Sequence, residues 1–171
     1  MFVAVTGAYG LVGTNLVRSL IDLGAKVRAV DIARGPSLDG LDVEYQKADV
    51  LDPESLSRAF EGVEVVIHLA AMVSITGDPT GHVWKVNTEG PRNAARAALE
   101  CGARRFVHCS SVHAFDLERC GPSLDEQGPR AVGDHAPVYD RSKYAGEQGV
   151  RSVIEDGLDA VIVNPTGVIG P

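Results

Sequence analysis

Three side chains in the second half of the chain have types and spacing suited to acid–base chemistry at an oxygen atom. Tyr139 and Lys143 are four residues apart, so in a helix they share one face, and Ser111 ends an apolar, strand-like segment. The phenol of a free tyrosine has a pKa of about 10, which is too high for a base at neutral pH, but a nearby ammonium group favours the phenolate. A serine hydroxyl beside it could orient the substrate oxygen. Ser111, Tyr139 and Lys143 are therefore candidate catalytic residues.

A second group of residues, near the N-terminus, could hold a dinucleotide. Gly7, Gly10 and Gly13 form G-x-x-G-x-x-G between an apolar strand and an amphipathic helix that ends before Gly24. The first glycine allows a tight turn, the second lets backbone approach a pyrophosphate, and the third lets the helix pack against the strand. The helix N-terminus adds free N–H groups and a positive dipole end, which favour phosphate binding.

Asp31 predicts which dinucleotide binds. It ends the second predicted strand, Lys26–Val30, where its carboxylate could accept hydrogen bonds from both hydroxyls of the adenosine ribose. The same carboxylate would repel a 2′-phosphate, so NAD is favoured over NADP. Arg34 is close enough in sequence to be a competing phosphate partner, which keeps an NADP-dependent ketone reductase as an alternative.

The elements that must position these residues alternate between strand and helix. Further strands are predicted over Val43–Lys47, Val65–Leu69 and Phe106–Cys109, with helices between them. The strands at 65–67 and 161–163 are continuously apolar, as in a parallel sheet covered on both faces. We therefore predict an α/β fold, a doubly wound parallel sheet of the Rossmann type, in which Ser111 emerges at the same edge as Gly7 and Asp31.

Two segments interrupt this regular pattern. Gly90-Pro91 lie within a helical stretch and predict a kink or a restart of the helix near Asn87. Residues 112–136 show little periodicity and contain scattered glycines and prolines. An irregular segment of this length in a compact domain is typical of a working loop over a site.

Composition restricts the partners. The chain has 171 residues, 44% of them hydrophobic, and a formal net charge of −7, so nucleic acid and anionic membrane are not expected as partners. There is no apolar run of membrane-spanning length and no secretory leader pattern, which predicts a cytoplasmic location. The three cysteines lack C-x-x-C spacing, so neither a disulfide framework nor a metal site is predicted.

Taken in order, the motifs resemble the extended branch of the short-chain dehydrogenase/reductase family, of the NAD-dependent epimerase/dehydratase type, near its dihydroflavonol reductase and hydroxysteroid dehydrogenase relatives. The resemblance covers the whole chain. Its motifs are TGxxGxxG at 6–13, an adenine-contacting acid at Asp49, HxAA at 68–71, N-V-x-G at 87–90 with Thr88 for valine, the serine pair at 110–111, YxxSK at 139–143, and R-P-x-x-V-x-G-P at 164–171 with Asn164 for arginine.

The resemblance implies NAD-dependent hydride transfer at a carbinol or carbonyl carbon, with Ser111, Tyr139 and Lys143 as the catalytic triad and Tyr139 as the acid/base. Tyr139 would exchange a proton with the substrate, Ser111 would hydrogen-bond its oxygen, and Lys143 would hold the nicotinamide ribose and lower the Tyr139 pKa. The implied cofactor-binding residues are Gly7, Tyr9, Gly10, Leu11, Val12, Gly13, Asp31, Asp49, Val50, Leu69, Ala70, Ala71, Asn87, Tyr139, Lys143, Pro165 and Val168. Two further hypotheses are a nonenzymatic dinucleotide sensor and a structural protein that has kept only the fold.

The resemblance also concerns the parts that this sequence lacks. Members of the family continue past G-P into a smaller substrate domain, so residues 1–171 are expected to be an NAD-binding Rossmann domain without that part. The expected substrate is a small molecule with a hydroxyl or carbonyl group, and a homodimer is left open. Ala114-Phe115-Asp116 stands where many sugar-nucleotide epimerases have V-Y-G, which weakens an assignment to sugar-nucleotide substrates.

Overall fold

The structure, a computed structural model, describes residues 1–170; Pro171, the last residue of the R-P-x-x-V-x-G-P-like segment, lies outside them. Strands and helices alternate along the chain. The strands are β1 (Phe2–Thr6), β2 (Lys26–Asp31), β3 (Glu44–Lys47), β4 (Val65–His68), β5 (Arg105–Cys109) and β6 (Ala160–Val163). The helices are α1 (Leu11–Asp22), α2 (Pro53–Phe60), α3 (His82–Glu100) and α4 (Val138–Glu155).

The six strands form one parallel sheet in the order β3-β2-β1-β4-β5-β6. The predicted doubly wound Rossmann-type sheet is therefore confirmed. The strand order reverses between β1 and β4, and ligands of such sheets bind beyond the carboxyl ends of the strands at that point. Thr6 and His68 are paired at this place, each as the last residue of its strand.

Helices cover the two faces of the sheet unequally. Helices α2, α3 and α4 pack on one face in a core that includes Phe60 and Phe106. On the other face α1 covers β1, β2 and β4. The expectation of helices over both faces holds only in part, because Val161 and Val163 of β6 are each 41% exposed.

Helix α3 continues through Gly90 and Pro91 and does not restart near Asn87. Pro91 lacks an N–H group and cannot bond to the carbonyl of Asn87, four residues earlier. Helix α4 packs against this stretch through Gly146, where an added Cβ would lie 2.3 Å from the Asn87 carbonyl oxygen. Helix α3 thus accommodates the proline while it packs closely against α4. This packing joins distant parts of the chain, so the local sequence pattern does not reveal it.

Candidate active site

The glycine-rich loop joins β1 to α1 in a conformation that depends on two of its glycines. Gly7 has φ +66°, and an added Cβ there would lie 2.8 Å from the Ala70 nitrogen. A Cβ on Gly13 would lie 2.1 Å from the Gly7 carbonyl oxygen, so only glycine lets α1 begin this close to the loop. The first i to i−4 bond of α1 runs from the Thr14 nitrogen to the Gly10 oxygen.

A cleft of about 420 Å³ opens beside this loop at the carboxyl edge of the sheet. Nine of the predicted cofactor residues line it: Gly7, Tyr9, Gly10, Asp31, Asp49, Val50, Leu69, Ala70 and Ala71. Seven further residues line the cleft without having been predicted as cofactor contacts: Thr6, Val30, Ile32, Ala48, Met72, His82 and Val86. Five of these are direct chain neighbours of predicted residues, whereas His82 and Val86 reach the cleft only through the packing of α3.

Asp31 lies at the cleft wall and is fixed by the backbone. Its carboxylate accepts hydrogen bonds from the Tyr9 nitrogen at 3.1 Å and from the Ile32 nitrogen at 2.8 Å. These bonds hold the acid against the glycine-rich loop and leave further lone pairs for ribose hydroxyls. Arg34, the competing phosphate partner, does not line the cleft and forms an ion pair with Asp39 at 3.2 Å.

Five further predicted cofactor residues do not line the cleft: Leu11, Val12, Gly13, Pro165 and Val168. Leu11, Val12 and Gly13 form the first turn of α1, whose N–H groups have no partner within the helix. Pro165 follows β6 and accepts a hydrogen bond from the Val112 nitrogen at 2.9 Å, while Val168 is half exposed. Asp49 accepts a bond from the Leu51 nitrogen at 2.9 Å.

Asn87 is buried, does not line the cleft, and forms hydrogen bonds to two other segments of the chain. Its side-chain oxygen accepts from the Met72 nitrogen, and its amide nitrogen donates to the Met72 oxygen, both at 2.8 Å. The same amide nitrogen donates to the Ser142 hydroxyl at 3.0 Å. Both amide hydrogens are thereby used, and these contacts join the segment after β4 to α4. Contact between Asn87 and the cofactor stays a prediction.

The three candidate catalytic residues come together where β5 ends and α4 begins. The Ser111 side chain lies beside Tyr139 and lowers the pKa of its phenol, although 27 residues separate the two, and Lys143 follows Tyr139 one turn later. The Lys143 ammonium is buried and donates to the Cys109 carbonyl at 3.1 Å. Its aliphatic stem and amine are therefore held against the end of β5, directly before the serine.

Lys143 is not among the groups that shift the pKa of Tyr139 in this structure, and the lowering expected of it stays a prediction. Burial raises the pKa of the Tyr139 phenol above its ordinary value, and the adjacent Ser111 side chain opposes that rise. Burial also lowers the pKa of Lys143, whereas Cys109 and Glu147 act in the opposite direction. The ammonium is directed at the Cys109 carbonyl, so its effect on the phenol is smaller than the four-residue spacing suggested.

His113 is a second titratable group beside Tyr139. Its ring packs edge-on against the tyrosine ring at 5.8 Å between centroids, and its Nδ1 atom lies 3.3 Å from an Asp140 carboxylate oxygen. Its backbone nitrogen donates to the Ser111 hydroxyl oxygen at 3.2 Å. The turn at Val112–Ala114 therefore places an imidazole next to the serine and tyrosine.

Two buried histidines on adjacent strands give the fold a pH dependence. His68 and His108 stack at 5.5 Å between centroids. Burial, aided by the Lys143 ammonium, lowers the pKa of His68 to about 3, and burial lowers the pKa of His108 well below its ordinary value. Below pH ~6.5 the unfolded chain binds protons that the folded chain does not, so the free energy of unfolding falls with decreasing pH.

We expect His108→Phe, which keeps an aromatic ring at this place, to weaken that dependence. Each buried neutral histidine contributes a slope of up to about 1.4 kcal/mol per pH unit below its unfolded pKa, and the variant loses one such contribution. Urea unfolding at pH 7, 6 and 5 measures the slope. His82→Gln, on an exposed residue, serves as the control; equal slopes for His108→Phe and the unmodified protein would contradict the expectation.

Two structural findings bear on other functions. None of the helices formed by residues 1–170 is both long enough and apolar enough to cross a lipid bilayer. Within the same described part of the chain, no three His, Cys, Asp or Glu side chains are grouped as a metal site requires.

Comparison with known proteins relates this geometry to a family. Residues 3–171 match the NAD dependent epimerase/dehydratase family. Sterol demethylase protein B from Methylococcus capsulatus is 39% identical over 176 residues, covering 100% of this chain and 52% of that protein. The 3β-hydroxysteroid dehydrogenase/Δ5→4-isomerase of vaccinia virus is 31% identical over 182 residues, covering 98% and 52%. The chain spans about half the length of the curated relatives it matches.

A solved structure gives the same result. A short-chain dehydrogenase/reductase superfamily protein from Agrobacterium tumefaciens, with bound NAD, has a TM-score of 0.80 at 32% identity, covering 96% of this chain and 48% of that one. NAD, the cofactor predicted from Asp31 and the glycine-rich loop, is the cofactor of the matching family. The predicted resemblance is therefore confirmed, and the chain belongs to the NAD-dependent epimerase/dehydratase family.

Proposed function

We propose that this chain forms the cofactor-binding and catalytic part of an NAD-dependent oxidoreductase or epimerase that acts at a carbinol or carbonyl carbon. The observation that carries the proposal is that Ser111 and Tyr139 lie side by side, with Lys143 one turn away and bonded to the Cys109 carbonyl, at the carboxyl edge of the sheet that also forms the cleft. A nonenzymatic sensor has no need of this arrangement.

The residues around the cleft fit the two ends of the cofactor. The first turn of α1 would take the pyrophosphate on its N–H groups, and Asp31 would accept hydrogen bonds from the adenosine ribose. Asp49 and Val50 would lie along the adenine. Leu69, Ala70 and Ala71 would line the path toward the nicotinamide, which supplies hydride transfer when NAD is bound.

The chain's own side chains would handle the proton. The Tyr139 hydroxyl exchanges a proton with the substrate oxygen, and Ser111 donates a hydrogen bond that stabilises the phenolate left behind. Lys143 uses one of its three N–H donors on the Cys109 carbonyl, so two are left for ribose hydroxyls. The positive charge of a bound nicotinamide would offset the effect of burial on the Tyr139 pKa.

We propose that the substrate is a small alcohol or ketone with an apolar body. Met72 lines the cleft, and the apolar side chains of Val73 and Ile75 that follow it are 73% and 97% exposed. Trp84, at the start of α3, is also exposed and lies near Arg141 in the first turn of α4. The sterol and hydroxysteroid named for two relatives are compounds of this kind.

Calorimetric titration of the protein with NAD and with NADP tests the cofactor part of the proposal. We expect NAD to bind at least about tenfold more tightly, a difference of about 1.4 kcal/mol, because Asp31 would repel a 2′-phosphate. Asp31→Asn should reduce this preference. Arg34→Ala should leave it unchanged, since Arg34 is paired with Asp39 and does not line the cleft.

The contrary outcomes are distinct. Tighter binding of NADP, lost in Arg34→Ala, would support the NADP-dependent ketone reductase. If a folded sample bound neither dinucleotide, the assignment of the cleft would fail.

A further inference from the structure

Glu147 is a fully buried carboxylate that acid–base chemistry at Tyr139 does not require. It lies on α4 one turn after Lys143 and has no exposed surface. Burying an unpaired carboxylate is strongly unfavourable, so removing one of the groups that pair with Glu147 would destabilise the fold. The Asn164 amide nitrogen donates to one carboxylate oxygen at 2.6 Å, and an Arg130 guanidinium nitrogen donates to the other at 3.3 Å.

Asn164 connects this carboxylate to the serine of the active site. Its amide nitrogen also donates to the Ser111 carbonyl oxygen at 2.9 Å. Both amide hydrogens are therefore used, one on Glu147 and one on Ser111. The position of the Ser111 backbone is thereby coupled to the helix that carries Tyr139.

Arg130 connects the same carboxylate to the base of the 116–129 loop. Phe115 and Arg130 pair as an antiparallel bridge where this loop begins and ends, and the guanidinium lies 3.9 Å from the centre of the Phe115 ring. A second guanidinium nitrogen donates to the Glu126 carbonyl at 3.0 Å. Arg130 thus ties both sides of the loop to α4.

We propose that Arg130, Glu147 and Asn164 form a positioning network, which sets the separation of Ser111 and Tyr139 and holds the 116–129 loop against α4. The network acts through Ser111 and the loop, so its three members are positioning residues and touch neither the cofactor nor the reacting atoms. The assignment rests on the proposed function, because positioning the serine matters only if Ser111 and Tyr139 act on a substrate.

Glu147→Gln in the complete protein tests the network. Both partners of the carboxylate are hydrogen-bond donors, so the new amide group would present its own N–H donors to one of them. We expect kcat to fall by about tenfold to a hundredfold, as small misplacements of reacting groups do, with the Kd for NAD within about twofold of its original value. Arg151→Gln is the matched control, since Arg151 approaches the same carboxylate from the exposed side at 3.8 Å and should be dispensable.

A second measurement is independent of turnover. Arg119 lies on the 116–129 loop with an exposed side chain, so the rate of tryptic cleavage after it reports opening of the loop. Arg130→Met should accelerate this cleavage and lower kcat, and Arg130→Lys, which keeps the charge, should restore part of both. Circular dichroism checks that each variant is folded.

The outcomes separate the two proposals. Unchanged kcat and unchanged cleavage in Glu147→Gln and Arg130→Met would overturn the network. Equal losses in Arg151→Gln would also overturn it, because they would indicate a general effect of charge. If the unmodified protein shows no hydride transfer, the proposed function fails, and the cleavage rates alone decide whether the network holds the loop.

Discussion

Tyr139→Phe is expected to reduce turnover of the complete protein by about a thousandfold or more while leaving the Kd for NAD nearly unchanged. General acid–base catalysis contributes typically about 10²- to 10⁴-fold, and phenylalanine removes the only proton that this side chain can exchange. The ring itself stays in place against His113, so the shape of the site is kept. The rate of NADH formation measures this loss of turnover. Comparing a set of apolar secondary alcohols with sugar nucleotides as substrates tests the substrate class.

Tyr144→Phe is the matched control for this substitution. Tyr144 lies on the same helix, and its ring faces the Arg130 guanidinium, away from the Ser111 contact. It should retain turnover close to that of the unmodified protein. If Tyr139→Phe remained active, the acid/base assignment would be wrong; if the unmodified protein bound NAD but oxidised no substrate, the sensor would become the better account.

Gly146→Ala is expected to have the largest effect of any single methyl group on the catalytic helix. In an unconstrained helix this change is stabilising by about 0.5–1 kcal/mol. Here the new Cβ would lie 2.3 Å from the Asn87 carbonyl oxygen, a backbone atom that cannot rotate away. Overpacking costs about 1–3 kcal/mol, and a contact this short with a backbone atom belongs at the upper end of that range, so after the helix gain is subtracted we expect a net loss of stability of about 2 kcal/mol.

The same substitution should also impair the site. Separating α4 from α3 would disturb the Asn87–Ser142 hydrogen bond and move Tyr139 relative to Ser111. Gly149→Ala is a graded comparison, because its Cβ would meet the Arg92 Cβ at 3.0 Å, and Gly121→Ala, with open space around it, should be nearly neutral. The free energy of unfolding in urea and kcat are measured for all three variants. Values for Gly146→Ala equal to those for Gly121→Ala would contradict the packing argument.

The local features of the cleft could be predicted from the sequence because they depend on neighbouring residues. The spacing of Gly7, Gly10 and Gly13 indicates a strand-to-helix turn around a phosphate, and Asp31 follows at the end of the next strand. Apolar runs and their periodicity indicate the strands and helices, and a capping residue marks the start of one helix. Asp52, for example, accepts hydrogen bonds from Glu54 and Ser55 at the start of α2, as its place before Pro53 predicts.

Other features depend on contacts between distant segments, which a local sequence pattern does not show. Gly90-Pro91 predicted a kink or a restart of α3 near Asn87; the restart is wrong, since α3 is one continuous helix that packs closely against Gly146 of α4. Lys143 was expected to lower the Tyr139 pKa; here burial raises that pKa and the ammonium bonds to the Cys109 carbonyl, so the lowering stays a prediction. Spacing along a helix shows which side chains share a face and does not show what else lies against that face.

The sequence by itself therefore determined the alternating elements, the dinucleotide loop, the choice of NAD, and the edge at which Ser111 and Tyr139 emerge. Each of these follows from periodicity, turn chemistry or the polarity of a parallel strand, all of which are local. Only the tertiary structure decided that α3 contributes His82 and Val86 to the cleft, and that Glu147 is enclosed by Arg130 and Asn164. These contacts join residues at least 17 positions apart, and their energies depend on burial, which exists only once the chain has folded.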